Sequence, residues 1–223
     1  QDIPTLAGVD TRAITRKIRN HGVLQGVIVP AEMLDDEVQK LLALPAVHNQ
    51  VEEVTTPEVY TMGEGKLHVA VMDFGIKRNI LKSIEAFGCR LTVFPASATA
   101  EEVLACDPDG IFLSNGPGDP AEPVEVIENL KQIFELGIPT FGICLGHQLS
   151  ALAAGAKTVK LKYGHRGANQ PVTDFASGRT FITSQNHGYA VVGEELPAEM
   201  GVVAQVNAND GTCEGIQLSL IHI

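Results

Sequence analysis

Short, nearly continuous apolar runs alternate with amphipathic segments through the middle of the chain. The apolar runs, which predict strands buried on both faces, lie at residues 67–72, 90–94, 111–113 and 139–143. The amphipathic segments, which predict helices, lie at residues 77–87, 100–106, 124–136 and 147–154. This alternation predicts an α/β fold with a doubly wound, mostly parallel sheet covered by helices. Ligands bind at the carboxyl ends of the strands in such sheets.

The pattern differs on either side of this region. Two helices are predicted before it, at 11–19 with Asp10 as the cap and at 35–44. The basic face of the first helix is interpreted as solvated surface, with a docking site as the alternative. A turn-rich stretch at 62–65 predicts a boundary, so that 1–62 is the end of a smaller N-terminal domain plus linker and 63–217 a second domain. Within the second domain, 158–206 is predicted to hold short strands separated by turns at Gly164, Gly178 and Gly188.

Composition narrows the classes of partner. The 223 residues carry a formal charge of −11, which makes nucleic acid an unfavourable partner. Hydrophobic residues make up 44% and charged residues 19%, as in a globular protein rather than a disordered one. No apolar run has the length of a membrane span and no signal peptide is visible, so we expect no membrane partner and a cytoplasmic location. The chain begins with Gln rather than Met, and we expect a fragment at this end.

A predicted strand-to-helix turn has the pattern glycine, any residue, cysteine, any residue, glycine, at residues 142–146. Hydrolases with this elbow hold their nucleophile on a cramped turn, where glycines allow neighbouring backbone to approach closely. Cys144 would lie at a helix N-terminus, whose N–H groups and dipole favour a thiolate. The N–H of Leu145 would point at a developing oxyanion. We therefore predict that Cys144 is a nucleophile rather than a structural cysteine. The other three cysteines form no C-x-x-C pair, which predicts neither a disulfide framework nor a zinc site.

Two further segments belong to the same edge of the sheet. The glycine-containing loop 114–120 follows the third predicted strand, and parallel strands would bring it beside Cys144. A thiolate also needs a proton carrier, normally a histidine held by a carboxylate. His187 could reach the cleft, but no Asp or Glu follows it within four residues, so segment 185–191 is interpreted as shaping the substrate pocket. His147 and His165 are the other candidates in this half of the chain.

At this point the motifs resemble those of class I glutamine amidotransferase domains, which have a flavodoxin-like fold. The stretches that carry this resemblance are GICLGHQ at 142–148, SNGPGDP at 114–120 and NHGYAV at 186–191. More narrowly, the chain resembles the small, glutamine-hydrolysing chains of carbamoyl phosphate synthases. That resemblance extends from residue 1 to about residue 217 and rests on VDTR at 9–12, DFGIKRNIL at 73–81 and GAKTVK at 155–160.

The resemblance implies an activity and its partners. Such a chain hydrolyses L-glutamine to glutamate and ammonia through a cysteine thioester. It passes the ammonia through a tunnel to a large chain that makes carbamoyl phosphate for pyrimidine and arginine biosynthesis. ATP and metal ions would bind the large chain, with no cofactor and no metal in this one.

The resemblance also implies residue roles, carried over by matching motif. Cys144 would be the nucleophile, and the backbone N–H groups of Gly116 and Leu145 would be the oxyanion donors. The residues that would hold glutamine are Gly116, Gly118, Leu145, Gln148, Asn186, Gly188 and Tyr189. Tyr189 stands where the family often has Phe, a change that a backbone contact would survive.

The C-terminal residues depart from the family pattern. Family members carry a His-Pro-Glu motif after the segment that corresponds to 210–216, and it supplies the base and its orienting carboxylate. This sequence has no His-Pro pair, so we expect the chain as given to be inactive. Residues 218–223, Leu-Ser-Leu-Ile-His-Ile, match the translated end of a transposon sequencing adapter and are interpreted as an artefact. For that reason His222 is not offered as the base.

Two other functions stay open. One is a glutaminase chain that serves another synthase, of the anthranilate or guanylate type, although segment 9–19 argues against it. The other is a non-catalytic, flavodoxin-like binding module. A binding module has no reason to activate its thiol, so alkylation of Cys144 by a glutamine-like electrophile would separate the two classes.

Overall fold

The computed structural model describes residues 4–219, which form a five-stranded sheet with helices and a four-stranded barrel. The helices are α1 (Thr11–His21), α2 (Asp35–Leu42), α3 (Gln50–Val54), α4 (Arg78–Ala86), α5 (Ala100–Leu104), α6 (Val124–Phe134) and α7 (Leu145–Ala153). The strands are β1 (Tyr60–Met62), β2 (Leu67–Asp73), β3 (Cys89–Pro95), β4 (Gly110–Leu113), β5 (Thr140–Gly142), β6 (Lys157–Asp174), β7 (Arg179–Val192), β8 (Gly201–Asn207) and β9 (Cys213–Leu218). One 3₁₀ turn, Gly193–Glu195, lies between β7 and β8.

The sheet has the strand order β1-β3-β2-β4-β5. All of its pairs are parallel except β1 with β3, which is antiparallel. Alternate residues of β2 enter opposite layers, since Met72 packs with α6 and α7 while Val71 packs with α4. This period of two is what a strand buried on both faces requires. The predicted doubly wound, mostly parallel sheet is confirmed.

Segment 50–62 packs against the sheet and contains two elements that the sequence pattern does not predict, α3 and β1. Val51 belongs to the main core, and Tyr60 pairs with Val93 at the edge of the sheet. The Thr55 hydroxyl donates to the Asp73 carbonyl at 2.6 Å and accepts from the N–H of Ala96, the residue after β3, at 2.8 Å. Earlier in the chain, α1 and α2 contain no buried residue. The boundary between residues 62 and 63 stays a prediction.

The region 158–206 differs from its predicted pattern of short strands. β6 and β7 are long strands of 18 and 14 residues that pair as one irregular hairpin. Of the three predicted turns, only Gly178 lies at the hairpin turn; Gly164 lies within β6 at a register shift and Gly188 lies within β7. Together with β8 and β9, these strands close the barrel β6-β7-β9-β8. A small apolar cluster that includes Ala151 of α7 joins the barrel to the sheet layer.

Within residues 4–219, no helix has the length and apolar character needed to cross a membrane. Leu218 ends β9 and packs against both the main core and the cluster at the barrel. The rest of the predicted adapter segment, including His222, lies outside the described residues apart from Ser219. The interpretation of 218–223 as an artefact stays a prediction.

Candidate active site

The elbow between β5 and α7 holds Cys144 in an unusual backbone conformation. Its φ is 55° and its ψ is −105°, and the helix begins at the next residue. Steric crowding requires glycine at both flanking positions. A Cβ on Gly142 would lie 2.7 Å from the carbonyl carbon of Gly146, and one on Gly146 would lie 2.3 Å from the carbonyl oxygen of Leu113. The predicted strand-to-helix elbow is present, and only glycine fits on either side of the cysteine.

The electrostatics of Cys144 depart from the sequence-based expectation. Burial raises the pKa of the Cys144 thiol, and Glu214 adds to the rise. The N–H of Leu145, which hydrogen-bonds to the sulfur, and the cation of Lys77 act in the opposite direction without cancelling it. The N–H at the helix N-terminus favours the thiolate as predicted, but desolvation outweighs it and Lys77 together, so the pKa is raised overall.

The glycine loop after β4 lies against the elbow, as predicted. The hydroxyl of Ser114 accepts from the N–H of Phe74 at 2.9 Å, and the carbonyl of Ser114 accepts from the N–H of Gly146 at 3.0 Å. A Cβ on Gly116 would lie 2.2 Å from the Phe74 carbonyl oxygen and 2.7 Å from Cδ2 of Leu145. The two predicted oxyanion donors, Gly116 and Leu145, are thus neighbours, and their catalytic role stays a prediction.

An open cavity of about 1340 Å³ lies over the elbow. The predicted nucleophile and glutamine-binding residues in its wall are Gly116, Gly118, Cys144, Gln148, Asn186, Gly188 and Tyr189. Leu145, the remaining predicted residue, does not line the cavity because its side chain is buried beneath it. The structure therefore brings the predicted residues together, from three separate parts of the sequence.

The wall of this cavity is held by contacts between the helix and the barrel. The side-chain amide of Gln148 donates to the carbonyl of Tyr189 at 2.7 Å, and Arg166 donates to the Asn186 side chain at 3.1 Å. Charges of both signs line the cavity, including Lys77 and Asp119. A zwitterionic amino acid would find partners here for its carboxylate and for its ammonium group.

A second cavity of about 580 Å³ reaches Cys144 from the barrel side. His147, His187 and Glu214 line it together with Cys144. His147 has a buried Nε2 with no partner among the described residues, and burial lowers its pKa to about 4. Cys144 thus lies in the wall between two cavities.

His187 has an orienting carboxylate that the sequence pattern does not reveal. Glu214 of β9 lies 3.5 Å from His187 Nε2, and the carbonyl of Tyr189 lies 2.8 Å from Nδ1. Burial alone would lower the pKa of His187, but Glu214 and the Tyr189 carbonyl together raise it. The carboxylate comes from a different strand, so no residue near His187 in the sequence signals it.

This chain is similar in sequence to a known protein family and to individual curated proteins. Residues 70–219 match the family Glutamine amidotransferase class-I. The chain is 47% identical over 225 residues to the carbamoyl phosphate synthase small chain of Symbiobacterium thermophilum, an alignment that covers 96% of this chain and 61% of that protein. It is 48% identical over 218 residues to the protein of the same description from Bacillus caldolyticus, covering 96% of this chain and 59% of the other. The chain therefore spans about 60% of the length of these curated relatives.

Solved structures agree in fold. A glutamine amidotransferase from Thermotoga maritima superposes with a TM-score of 0.51 at 16% identity, covering 70% of this chain and 75% of that one. A Thermoplasma acidophilum protein, provisionally assigned as part of a GMP synthase, gives 0.59 at 22% identity, covering 69% and 78%. The elbow, the doubly wound sheet and the family match agree with one another. The chain belongs to the class I glutamine amidotransferase family. The relatives of highest similarity reported above are small chains of carbamoyl phosphate synthases.

Proposed function

We propose that this chain is the glutamine-hydrolysing part of a carbamoyl phosphate synthase small chain. The observation that carries the proposal is Cys144 itself, held on a strained turn between two glycines in the wall of a cavity that the predicted glutamine-binding residues line. The descriptions of the relatives at 47% and 48% identity support the choice of synthase.

In the proposed reaction, the sulfur of Cys144 attacks the side-chain amide carbon of L-glutamine. The carbonyl oxygen becomes an oxyanion that accepts hydrogen bonds from the N–H groups of Leu145 and Gly116. The C–N bond then breaks, ammonia leaves after its nitrogen gains a proton, and a thioester remains on Cys144. Water hydrolyses the thioester to glutamate and restores the thiol.

Activation of the thiol needs a base, because burial raises the pKa of Cys144. The Lys77 cation and the Leu145 N–H act in the opposite direction and would stabilise a thiolate. A base that engages the sulfur when the substrate is bound completes the activation. In the family pattern, this base belongs to a His-Pro-Glu motif after the segment that corresponds to 210–216. His187 is the leading candidate within the described residues.

The ammonia would pass to a large partner chain that binds ATP and metal ions and makes carbamoyl phosphate in the cytoplasm, for pyrimidine and arginine biosynthesis. The rival function is a glutaminase chain of another synthase, of the anthranilate or guanylate type. Resemblance of segment 9–12 to small chains of carbamoyl phosphate synthases, together with the identity over 96% of the chain, favours carbamoyl phosphate synthesis.

The test uses the complete small chain assembled with its large chain. We expect Cys144→Ser to abolish carbamoyl phosphate synthesis from glutamine while synthesis from ammonium salts persists, because only amide hydrolysis needs the thiol. Cys106→Ser is the matched control, since this cysteine follows α5, packs against the main core and lines neither cavity, and it should leave both syntheses unchanged. Substantial glutamine turnover by the Cys144→Ser enzyme would refute the assignment.

A second measurement separates a glutaminase from a binding module. A glutamine-like diazoketone should form a C–S bond with Cys144 as its diazo carbon takes up a proton and loses N₂, an adduct detected by peptide mass, and L-glutamine should protect against it. A module that merely binds glutamine would bind it in a binding assay but would form no adduct at Cys144.

A further inference from the structure

Three side chains from different barrel strands converge beside the site: His165 of β6, His187 of β7 and Glu214 of β9. One ligand atom from each lies within 4.8 Å of the other two. The side chains are nearly enclosed, with 11%, 12% and 10% of their surface exposed. The spacing in sequence gives no sign of this cluster, which is why the sequence predicts no metal in this chain.

The two imidazoles are oriented as metal-binding histidines usually are. His165 Nε2 contacts the carboxylate of Asp210 at 2.8 Å, which leaves Nδ1 facing Glu214 at 2.9 Å. His187 Nδ1 contacts the Tyr189 carbonyl at 2.8 Å, and Nε2 faces the side-chain oxygen of Gln185 at 3.2 Å and the Glu214 carboxylate at 3.5 Å. In metal sites, the imidazole nitrogen that does not bind the metal donates to a carboxylate or a backbone carbonyl, and this contact fixes the tautomer.

The distances suit a small cation that accepts nitrogen and oxygen ligands. With metal–ligand bonds of about 2.0–2.2 Å, tetrahedral ligands lie roughly 3.4 Å apart. The separations from His165 Nδ1 to Glu214 Oε1, 2.9 Å, and from His187 Nε2 to Glu214 Oε2, 3.5 Å, are close to that value, one to each carboxylate oxygen. The two imidazole nitrogens need to approach each other by about 1.4 Å at most from the limit of 4.8 Å. Two imidazoles with one carboxylate favour Zn²⁺ and its neighbours over Mg²⁺ or Ca²⁺.

The surroundings supply access and support. His187 and Glu214 line the cavity of about 580 Å³, which gives a cation a route to them. The buried amide of Asn207 lies 3.4 Å from the Glu214 carboxylate and supports its orientation. Asp210 and Glu214 attract a cation, whereas the nearby Arg166 opposes it.

We propose that His165 Nδ1, His187 Nε2 and the Glu214 carboxylate bind a divalent cation of the Zn²⁺ class, with water as a further ligand. Both ligating nitrogens bind the cation in their unprotonated form. The cation ties β6, β7 and β9 together beside the Asn186–Tyr189 stretch of the larger cavity. The site shares His187 with the candidate base near Cys144, but its existence does not depend on the proposed glutaminase activity.

Co²⁺ is the first probe, because its visible spectrum reports the ligands. We expect one Co²⁺ per chain, with the absorption of a four- or five-coordinate nitrogen and oxygen site and no thiolate charge-transfer band. Cys144→Ser should leave the spectrum unchanged. A thiolate band that disappears in Cys144→Ser would place the metal on the thiol and overturn the proposal, as would the absence of saturable binding.

Variants then test the ligand set by competition of Zn²⁺ with Co²⁺. Glu214→Gln, which keeps the shape of the side chain, should weaken binding by more than about 100-fold, and Asp210→Asn by about 10- to 100-fold through loss of orientation. Glu199→Gln removes an exposed carboxylate elsewhere and should change nothing. Affinity retained in folded Glu214→Gln would overturn the proposal.

A measurement on the unaltered chain guards against variants that fail to fold. On addition of Zn²⁺, the side-chain NMR signals of His165 and His187 should shift together, while those of His21 and His68 stay unchanged. If the signal of His48 or another histidine shifts instead, the proposed site is wrong.

Discussion

Cys144 adopts a conformation that costs a non-glycine residue about 1–3 kcal/mol, and its neighbours make that conformation possible. The glycine pattern around it is local, so the sequence alone predicts the elbow. The charges that set its pKa are not local: Lys77 lies after β2 and Glu214 lies in β9. The strength of burial at Cys144 likewise depends on the packed fold. For these reasons the position of Cys144 on the elbow could be predicted, whereas the direction of its pKa shift could not.

Gly116 and Leu145 test the oxyanion assignment. We expect Gly116→Val in the complete protein to lower kcat/KM for glutamine by about 10²–10³-fold, because the added side chain overlaps the Phe74 carbonyl and displaces the loop. Leu145→Met keeps both the backbone N–H and the buried volume, so its effect should stay below about tenfold. Circular dichroism melting curves identify any part of the loss that comes from unfolding. Equal losses in two folded variants would count against the predicted donors.

At the scale of elements, the sequence pattern predicts the strands and helices with strong periodicity and misses those without it. Helices α4 to α7 and strands β2 to β5 lie where the pattern predicts them, within a few residues. α3 and β1 are too short, at five and three residues, to show a period. The long strands β6 and β7 escape recognition because register shifts, one of them at 167–170, break their alternation. Because the alternation is broken, the pairing of these strands could not be predicted either. The contacts of Glu214 with the two histidines depend on that pairing.

α7 carries a histidine whose burial predicts an acid-sensitive fold. The folded protein binds a proton at His147 less readily than the unfolded chain, because burial lowers the pKa from 6.5 to about 4. Stability from this group is therefore complete above pH 6.5 and declines as the pH falls towards 4, by about 3 kcal/mol in total. Urea unfolding at pH 7 and pH 4.5 measures the change. His147→Leu should reduce the loss of stability between these pH values.

The exposed His21 is the control for this experiment. His21→Leu should retain the full pH dependence, because that side chain lies on the outer surface of α1. The many carboxylates of the chain contribute equally to all three proteins, so the difference between them isolates His147. An unchanged pH dependence in His147→Leu would contradict the predicted burial effect.

At the scale of the whole molecule, the candidate site lies where the sheet meets the barrel. The sheet supplies the elbow and the glycine loop, both of which are short motifs that the sequence reveals. The barrel supplies Asn186 to Tyr189 and Glu214, whose positions depend on how long, irregular strands pair. Resemblance to a family identified the first of these barrel segments, whereas the carboxylate became visible only in three dimensions.

The C-terminal end offers a test of the whole arrangement. We expect the 223-residue chain to hydrolyse glutamine about 10²–10⁴-fold more slowly than a chain in which residues 218–223 are replaced by the corresponding longer segment of a relative. The physical reason is that the family pattern places its general base in that segment. Steady-state release of glutamate measures the difference.

Stability must be separated from chemistry in this comparison, because added packing elements also stabilise the fold. Circular dichroism and the melting temperature of both chains provide that control, and a longer chain with the new histidine changed to asparagine isolates the base. If the folded 223-residue chain is as active as the longer one, the base is not in the added segment, and His187 becomes the leading candidate.

The antiparallel pairing of β1 with β3 determines where the chain can be truncated for expression. An expression fragment that starts at Gly63, the first residue of the predicted second domain, would discard β1 and leave β3 as an open edge. Such an edge presents unpaired N–H and C=O groups to other chains and promotes aggregation. The same cut would also remove Val51 from the main core and the Thr55 hydroxyl from its two backbone partners. A minimal fragment for crystallisation or NMR therefore begins ahead of Gln50.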